Sequence, residues 1–212
     1  MGWINHDNIK AGIMQEEESY SEFIRTLVNS IYSDMPRYSK AKRYINPEIS
    51  ENDFPAAKAW KEFLVKNMGL KVVLSSRFSN PCFKRDTNEV HMPIRCNHYK
   101  TSAGYWNALL HECIHWAYNL SENSQIQQKI HYSSQSATNF HVAYAVEELI
   151  AQFGSIILKN FFGISWRGVD RIYLERYACR MVFHKSRVSI LDCFDCASER
   201  AYLLLEGFLK QD

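Results

Sequence analysis

The sequence predicts an α+β fold: a small, mostly antiparallel sheet beside one helix, with further helices forming the other half. Three observations lead there. Short Val/Leu-rich and alternating segments between residues 70 and 93 have the two-residue period of strands. Apolar stripes with helical period lie on both sides of them. One of these helical runs, Tyr105 to Trp116, contains His111-Glu112-Cys113-Ile114-His115, an H-E-x-x-H motif. A chain of 212 residues with 46% hydrophobic content is long enough for one domain with a substantial core. The expected division is residues 1–52, an N-terminal helix and basic linker, and residues 53–212, the main domain.

Each element has its own signal. Residues 15–32 carry Tyr20, Phe23, Ile24, Leu27, Val28 and Ile31 on one stripe, with Glu16, Glu17 and Glu18 near the positive end of the helix dipole. A second helix starts at a cap on Asn52 or Asp53, has Pro55 in its first turn and stops at Gly69, with Trp60, Phe63, Leu64 and Met68 inward. Leu70 to Leu74 reads as a strand. Pro81 to Arg85 and Asn88 to Met92 read as a hairpin turning at Asp86-Thr87, in which Val90 and Met92 alternate with Glu89 and His91. Thr101 or Ser102 caps the motif helix. Residues 121–140, rich in Ser, Asn and Gln, read as a long loop. A helix from about His141 to Lys159 ends near Gly163. Two more, near 167–183 and 187–209, are marked by Ile172, Tyr177 and Met181, and by Ile190, Phe194, Ala197, Ala201, Leu204 and Phe208.

Composition excludes several classes. No run approaches the roughly 18 apolar residues of a membrane span, so no membrane partner is expected. Residues 1–10 lack the apolar centre of a secretory signal, and His6 breaks a myristoylation start, so a cytoplasmic location is expected. Without an export signal the six cysteines are expected as free thiols. Cys193-Phe194-Asp195-Cys196 has no second pair to complete a zinc ribbon and reads as two thiols on the last helix. A net charge of +2 gives no strong field for nucleic acid. The basic, tyrosine-bearing stretch Arg37 to Tyr44 is the one local feature that would suit a phosphate backbone; a solvated linker is the commoner meaning of such a stretch.

The chemistry resides in the motif helix. Residues i and i+4 share a helix face, so His111 and His115 can grip one zinc ion. Glu112 does not touch the metal. It is placed to take a proton from a metal-activated water and return it to the leaving amine, and zinc brings that water to a pKa of about 7. A catalytic site needs a third protein ligand and an open position. Tyr144-Ala145-Val146-Glu147-Glu148 on the next helix offers two carboxylates about 100° apart. Glu148 shares a small, polar face with Tyr144, Ala145 and Gln152 and is the expected ligand. Glu147, the fallback, is expected to face away, toward solvent. His131 and His141 are the competing third ligands. Tyr144 is the expected oxyanion donor, with His141 the weaker candidate, and Gln152 is expected to orient a ligand imidazole.

With these residues in place, the chain resembles the zincin-like metallopeptidase domain of ArdC-type antirestriction proteins, TraC-type plasmid primases and phage polyvalent proteins. The hairpin ending in Val90-His91-Met92-Pro93 is similar to a family strand ending I-x-M-P. Tyr105 to Trp116 is close to the pattern Y-x-x-x-L-x-H-E-x-x-H-W, and Tyr144 to Gly154 to Y-A-x-E-E-L-V-A-E-x-G. The resemblance covers roughly residues 60–210. It departs from the family at Gln152, where Glu is usual, and in the longer segment between His115 and the Glu pair. Residues 1–60 are too short for the single-stranded-DNA-binding domain of the larger members and do not resemble it. The resemblance implies a gluzincin-type zinc peptidase of mobile-element or phage origin. It would act on a protein or peptide, with a host defence protein as a possible partner, and the substrate would lie along an edge strand, expected at residues 88–92. The alternative is an antirestriction or defence-inhibiting binding protein, with protein or DNA as partner, whose zinc is structural.

Overall fold

The computed structural model describes residues 52–94, 101–120, 140–165, 168–183 and 186–210. The expected helix at 15–32, the basic stretch 37–44, residues 121–139 of the expected loop 121–140, with His131, and the side chain of His141 lie outside the described residues.

Helix α1, Pro55–Phe63, continues through one π-helical turn, Leu64–Met68, and is stopped by Gly69 at φ +77°, a left-handed conformation that glycine adopts without strain. The cap expected at Asn52 or Asp53 falls instead on Phe54, which makes no side-chain cap bond. Pro55 supplies the helical φ and has no N–H to satisfy, so the cap carboxylate is dispensable. Asp53 turns to the next long helix and accepts a hydrogen bond from Ser102. Trp60 is fully buried, and its indole Nε1 donates to the Leu204 carbonyl at 2.9 Å, joining α1 to the C-terminal helix.

Three strands follow: β1 (Lys71–Ser75), β2 (Cys82–Lys84) and β3 (Glu89–Pro93), in the spatial order β1-β3-β2. The hairpin is antiparallel, with Phe83 opposite Val90. Its turn closes where Asn88 adopts φ +54°, a conformation that asparagine tolerates better than most side chains. β1 pairs parallel to β3, Val72 opposite Val90. The α+β expectation holds, and the sheet itself is mixed, with one pairing of each kind. Val90 and Met92 are buried, while Glu89 and His91 are only half-buried, as the alternation required.

Placing β3 in the centre corrects one expectation. Among the described residues, 88–92 are not an edge; the edge strand beside the motif helix is β2. The hairpin alone cannot reveal this, because the flank that β1 occupies is a long-range choice.

The motif helix α2 (Ser102–Ala117) starts at Thr101, whose hydroxyl accepts from the Gly104 N–H at 3.0 Å. Helix α3 (Phe140–Phe161) is the central element and packs against α2, α4 (Gly168–Phe183) and α5 (Ile190–Leu209). Ser189 and Asp192 close α5 with a reciprocal capping box. On α4 the buried residues among those whose side chains are described are Leu174, Tyr177, Ala178 and Met181. Ile172, expected in that stripe, is 64% exposed. It precedes Leu174 by two residues, about 200° around the helix, and so faces the other way. Cys193 and Cys196 are buried free thiols on α5, as expected. Burial pushes Cys196 up to about 11, which keeps it protonated and unreactive. No described helix is long and apolar enough to cross a membrane.

Helices α2 and α3 are in close contact at Gly154. A Cβ added there would lie 2.7–2.9 Å from three side-chain carbons of Ile114, the residue before His115. Gly154→Ala is therefore expected to destabilise the protein by about 1–3 kcal/mol, outweighing the ~1 kcal/mol of helix propensity gained. Urea unfolding measures it, and an unchanged or higher midpoint would show that the helices can separate freely.

Candidate metal centre

Four elements converge on a cleft of about 550 Å³. Its floor is the α2 face bearing His111, Glu112 and His115. One wall is the β2 edge, Asn80 to Phe83, and the opposite wall is Tyr144, Glu148 and Gln152 of α3 with Tyr173 and Tyr177 of α4.

His111, His115 and Glu148 each bring a ligand-type atom within 4.8 Å of the others. Both histidines turn Nε2 inward, 3.2 Å apart. Glu148 Oε2 is 3.4 Å from His111 Nε2, and Oε1 is 3.8 Å from His115 Nε2. A tetrahedral zinc with bonds of about 2.0–2.1 Å holds its ligand atoms roughly 3.3 Å apart. The group thus has the donor types and spacing of a zinc site. Although burial alone would raise it, the Glu148 carboxyl lies below its ordinary value because of the bond and charge of His111, then the charge of His115.

Glu112 stays out of this triangle. It is 8% exposed, lines the cleft, and its Oε2 accepts the backbone N–H of Phe83 at 2.7 Å. The carboxylate is thus tied to the edge strand rather than to the imidazoles. The same bond occupies an edge N–H that the sequence left unassigned.

Glu147 departs from its expectation. It does not face solvent. It turns into the protein, where Oε1 accepts from Arg200 Nη1 at 2.7 Å and Oε2 from Nη2 at 3.1 Å. The same Oε1 accepts from His115 Nδ1 at 3.2 Å. Burial works against the charge, yet the Arg200 guanidinium and the His115 bond hold the Glu147 carboxyl well below the usual carboxylate range. Burial likewise pulls His115 down, and the bond to Glu147 with the surrounding carboxylates more than reverses it, leaving the imidazole raised. Glu147 thus makes a contact with an imidazole of the kind expected of Gln152, and Gln152 lines the cleft at 4% exposure. The physical reason is the partner. Only the fold reveals that a fully buried arginine on α5 waits on the inner side of α3.

Tyr144 is 44% exposed at the cleft and is no packed core residue. Its hydroxyl donates to Glu148 and is hydrogen-bonded to that of Tyr177, and the two rings meet edge-on at 6.0 Å. Burial and the Glu148 charge push the Tyr144 phenol up, so it remains a neutral donor.

Sequence reasoning missed Arg200, the Phe83 N–H, Tyr173 and the cleft-facing hydroxyl of Tyr177. Arg200 did leave a signal. It falls between Cys196, Ala197 and Leu204 on the buried stripe of α5, where a charge needs a buried partner.

A mixed α+β fold with two imidazoles and a carboxylate around one point, and a glutamate beside them, defines a metallopeptidase-like protein. The profile of the zincin-like metallopeptidases matches residues 59–180, more than half of the chain, and the chain belongs to that family. Zinc is the metal that this family uses. Among solved structures, the chain is similar to the Mn(II)-bound antirestriction ArdC protein from R388 plasmid. The identity is 22%, over 69% of this chain and 52% of that one, with a TM-score of 0.38. The chain therefore spans about half the length of that protein. No curated protein matches it.

Proposed function

We propose that the chain is a zinc-dependent peptidase acting on a protein or peptide, with His111, His115 and Glu148 as metal ligands and Glu112 as general base. The observation that carries this reading is the triangle of two Nε2 atoms and one carboxylate at 3.2–3.8 Å, with the adjacent glutamate held apart from it. Zinc in that position would supply Lewis-acid polarisation of a carbonyl and an acidified water nucleophile. The chain's own residues do the rest. Glu112 takes the proton of the attacking water and delivers it to the leaving amine. Tyr144, a neutral phenol one turn before Glu148, exchanges its bond to that carboxylate for one to the developing oxyanion. An extended substrate lies beside β2, the edge strand among the described residues that lines the cleft.

Glu112→Gln tests it. The variant is expected to keep its zinc and lose about 10²–10⁴-fold in kcat/KM on a peptide mixture read by mass spectrometry. A wild type that cleaves nothing, together with a Glu112→Gln variant that retains its biological effect, would favour the alternative of a defence-inhibiting binder with a structural metal. Residues 37–44 would then be the first stretch to examine for DNA or protein contacts.

A further inference from the structure

Three groups near the cleft are not used by the chemistry above: the Cys82 thiol, the buried Lys159 on Asn107, and the Glu147–Arg200 pair. The third carries an inference. We propose that Glu147, clamped by Arg200, is the positioning residue of His115, holding the ring with Nδ1–H on the carboxylate and Nε2 turned to the metal position. The metal half of this statement rests on the reading of His115 as a ligand.

The geometry is specific. An ionised carboxylate only accepts, so the 3.2 Å contact from Glu147 Oε1 requires the proton on His115 Nδ1. In the neutral ring that leaves Nε2 as the lone-pair nitrogen, and Nε2 is the atom facing His111 Nε2 and Glu148. Arg200 fixes the carboxylate by two parallel bonds, which set its plane as well as its place. Its Nη1 also reaches the carbonyl of Ile114, the residue before His115, at 3.4 Å. One guanidinium therefore anchors both the acceptor of the imidazole and the backbone that carries it. The guanidinium in turn lies 5.1 Å from the centroid of Tyr118, just beyond α2, and Arg85 at the cleft lies 4.4 Å from the same ring. A run of contacts thus links the cleft to the ligand: Arg85, Tyr118, Arg200, Glu147, His115. Outer carboxylates that orient a ligand histidine set its tautomer and its basicity. Here that carboxylate is the immediate neighbour of the proposed ligand Glu148, so one helical turn of α3 would serve both roles.

The test uses metal-free and zinc-titrated protein. Long-range ¹H–¹⁵N spectra of the histidine-labelled apo protein, at a pH where imidazole is neutral, report the His115 tautomer. Wild type is expected to show Nδ1–H. Glu147→Ala is expected to shift His115 toward Nε2–H and to weaken zinc about 10–100-fold by dye competition. Glu147→Ala leaves Arg200 unpaired in the interior, so the paired swap Glu147→Met with Arg200→Met is made beside it. That swap removes both charges and keeps the volume. A folded double variant that retains Nδ1–H and binds zinc within about twofold of wild type overturns the proposal; so does wild-type His115 in the Nε2–H form. If wild type binds zinc no better than His115→Ala, the ligand reading fails instead, and the apo spectra still decide the orienting role.

Discussion

Glu148→Ala is expected to leave the purified protein without stoichiometric zinc. Two histidines on one helix turn make an incomplete site, and the third corner of the triangle is the Glu148 carboxylate, 3.4 and 3.8 Å from the two Nε2 atoms. The loss should exceed the roughly 10–100-fold of an outer-position change, which is what Glu147→Ala should produce. Two measurements separate these cases. Metal content by elemental analysis reports occupancy. Zinc-dependent thermal stabilisation reports affinity: a ligand at about 1,000 times its Kd adds roughly 4 kcal/mol to the folded state. Wild type should show that shift, Glu147→Ala should show it only at higher zinc, and Glu148→Ala should not show it. A Glu148→Ala protein with its full complement of zinc would remove Glu148 from the ligand set and return attention to the histidines of residues 131 and 141.

Arg200→Ala is expected to cost about 3–5 kcal/mol of folding stability, because it leaves the Glu147 carboxylate buried without its counter-ion. For a chain of this size that amounts to a fall on the order of 10 °C in Tm. The effect has a pH signature. In the wild type the Glu147 carboxyl is held well below its ordinary value of 4.5. The folded state therefore binds this proton less readily than the unfolded state does. The stabilisation is complete above the unfolded value and is lost as pH falls from there through the lower folded value. Without Arg200 only His115 still opposes the effect of burial, so the carboxyl is held down less and protonation relieves it more readily. The difference between wild type and variant should therefore shrink as pH falls below about 4.5. Urea midpoints across that window measure it. A difference that stays constant with pH would mean that Arg200 contributes packing and not charge.

The motif helix was legible because everything it needs is local. Thr101 caps it, and the spacing of His111 and His115 puts both imidazoles on one face whatever surrounds them. The shared helix face of Tyr144, Glu148 and Gln152 was legible on the same grounds, and all three line the cleft. The alternation of Val90 and Met92 with Glu89 and His91 likewise specified which side of β3 would be buried.

Tertiary structure decided the rest. Whether β3 is an edge depends on where β1 docks, and strand period is silent about neighbours. The fate of Glu147 depends on a residue 53 positions away, on a helix whose own pattern says only that one charge lies on an apolar stripe. Periodicity specifies the face on which a side chain leaves its helix. It does not specify what the next element places opposite, because that follows from how α2, α3 and α5 pack together. The sequence by itself determined the two imidazoles, the glutamate beside them and the α+β frame. Only the packed molecule turned a carboxylate expected at the surface into the acceptor that holds His115 in place.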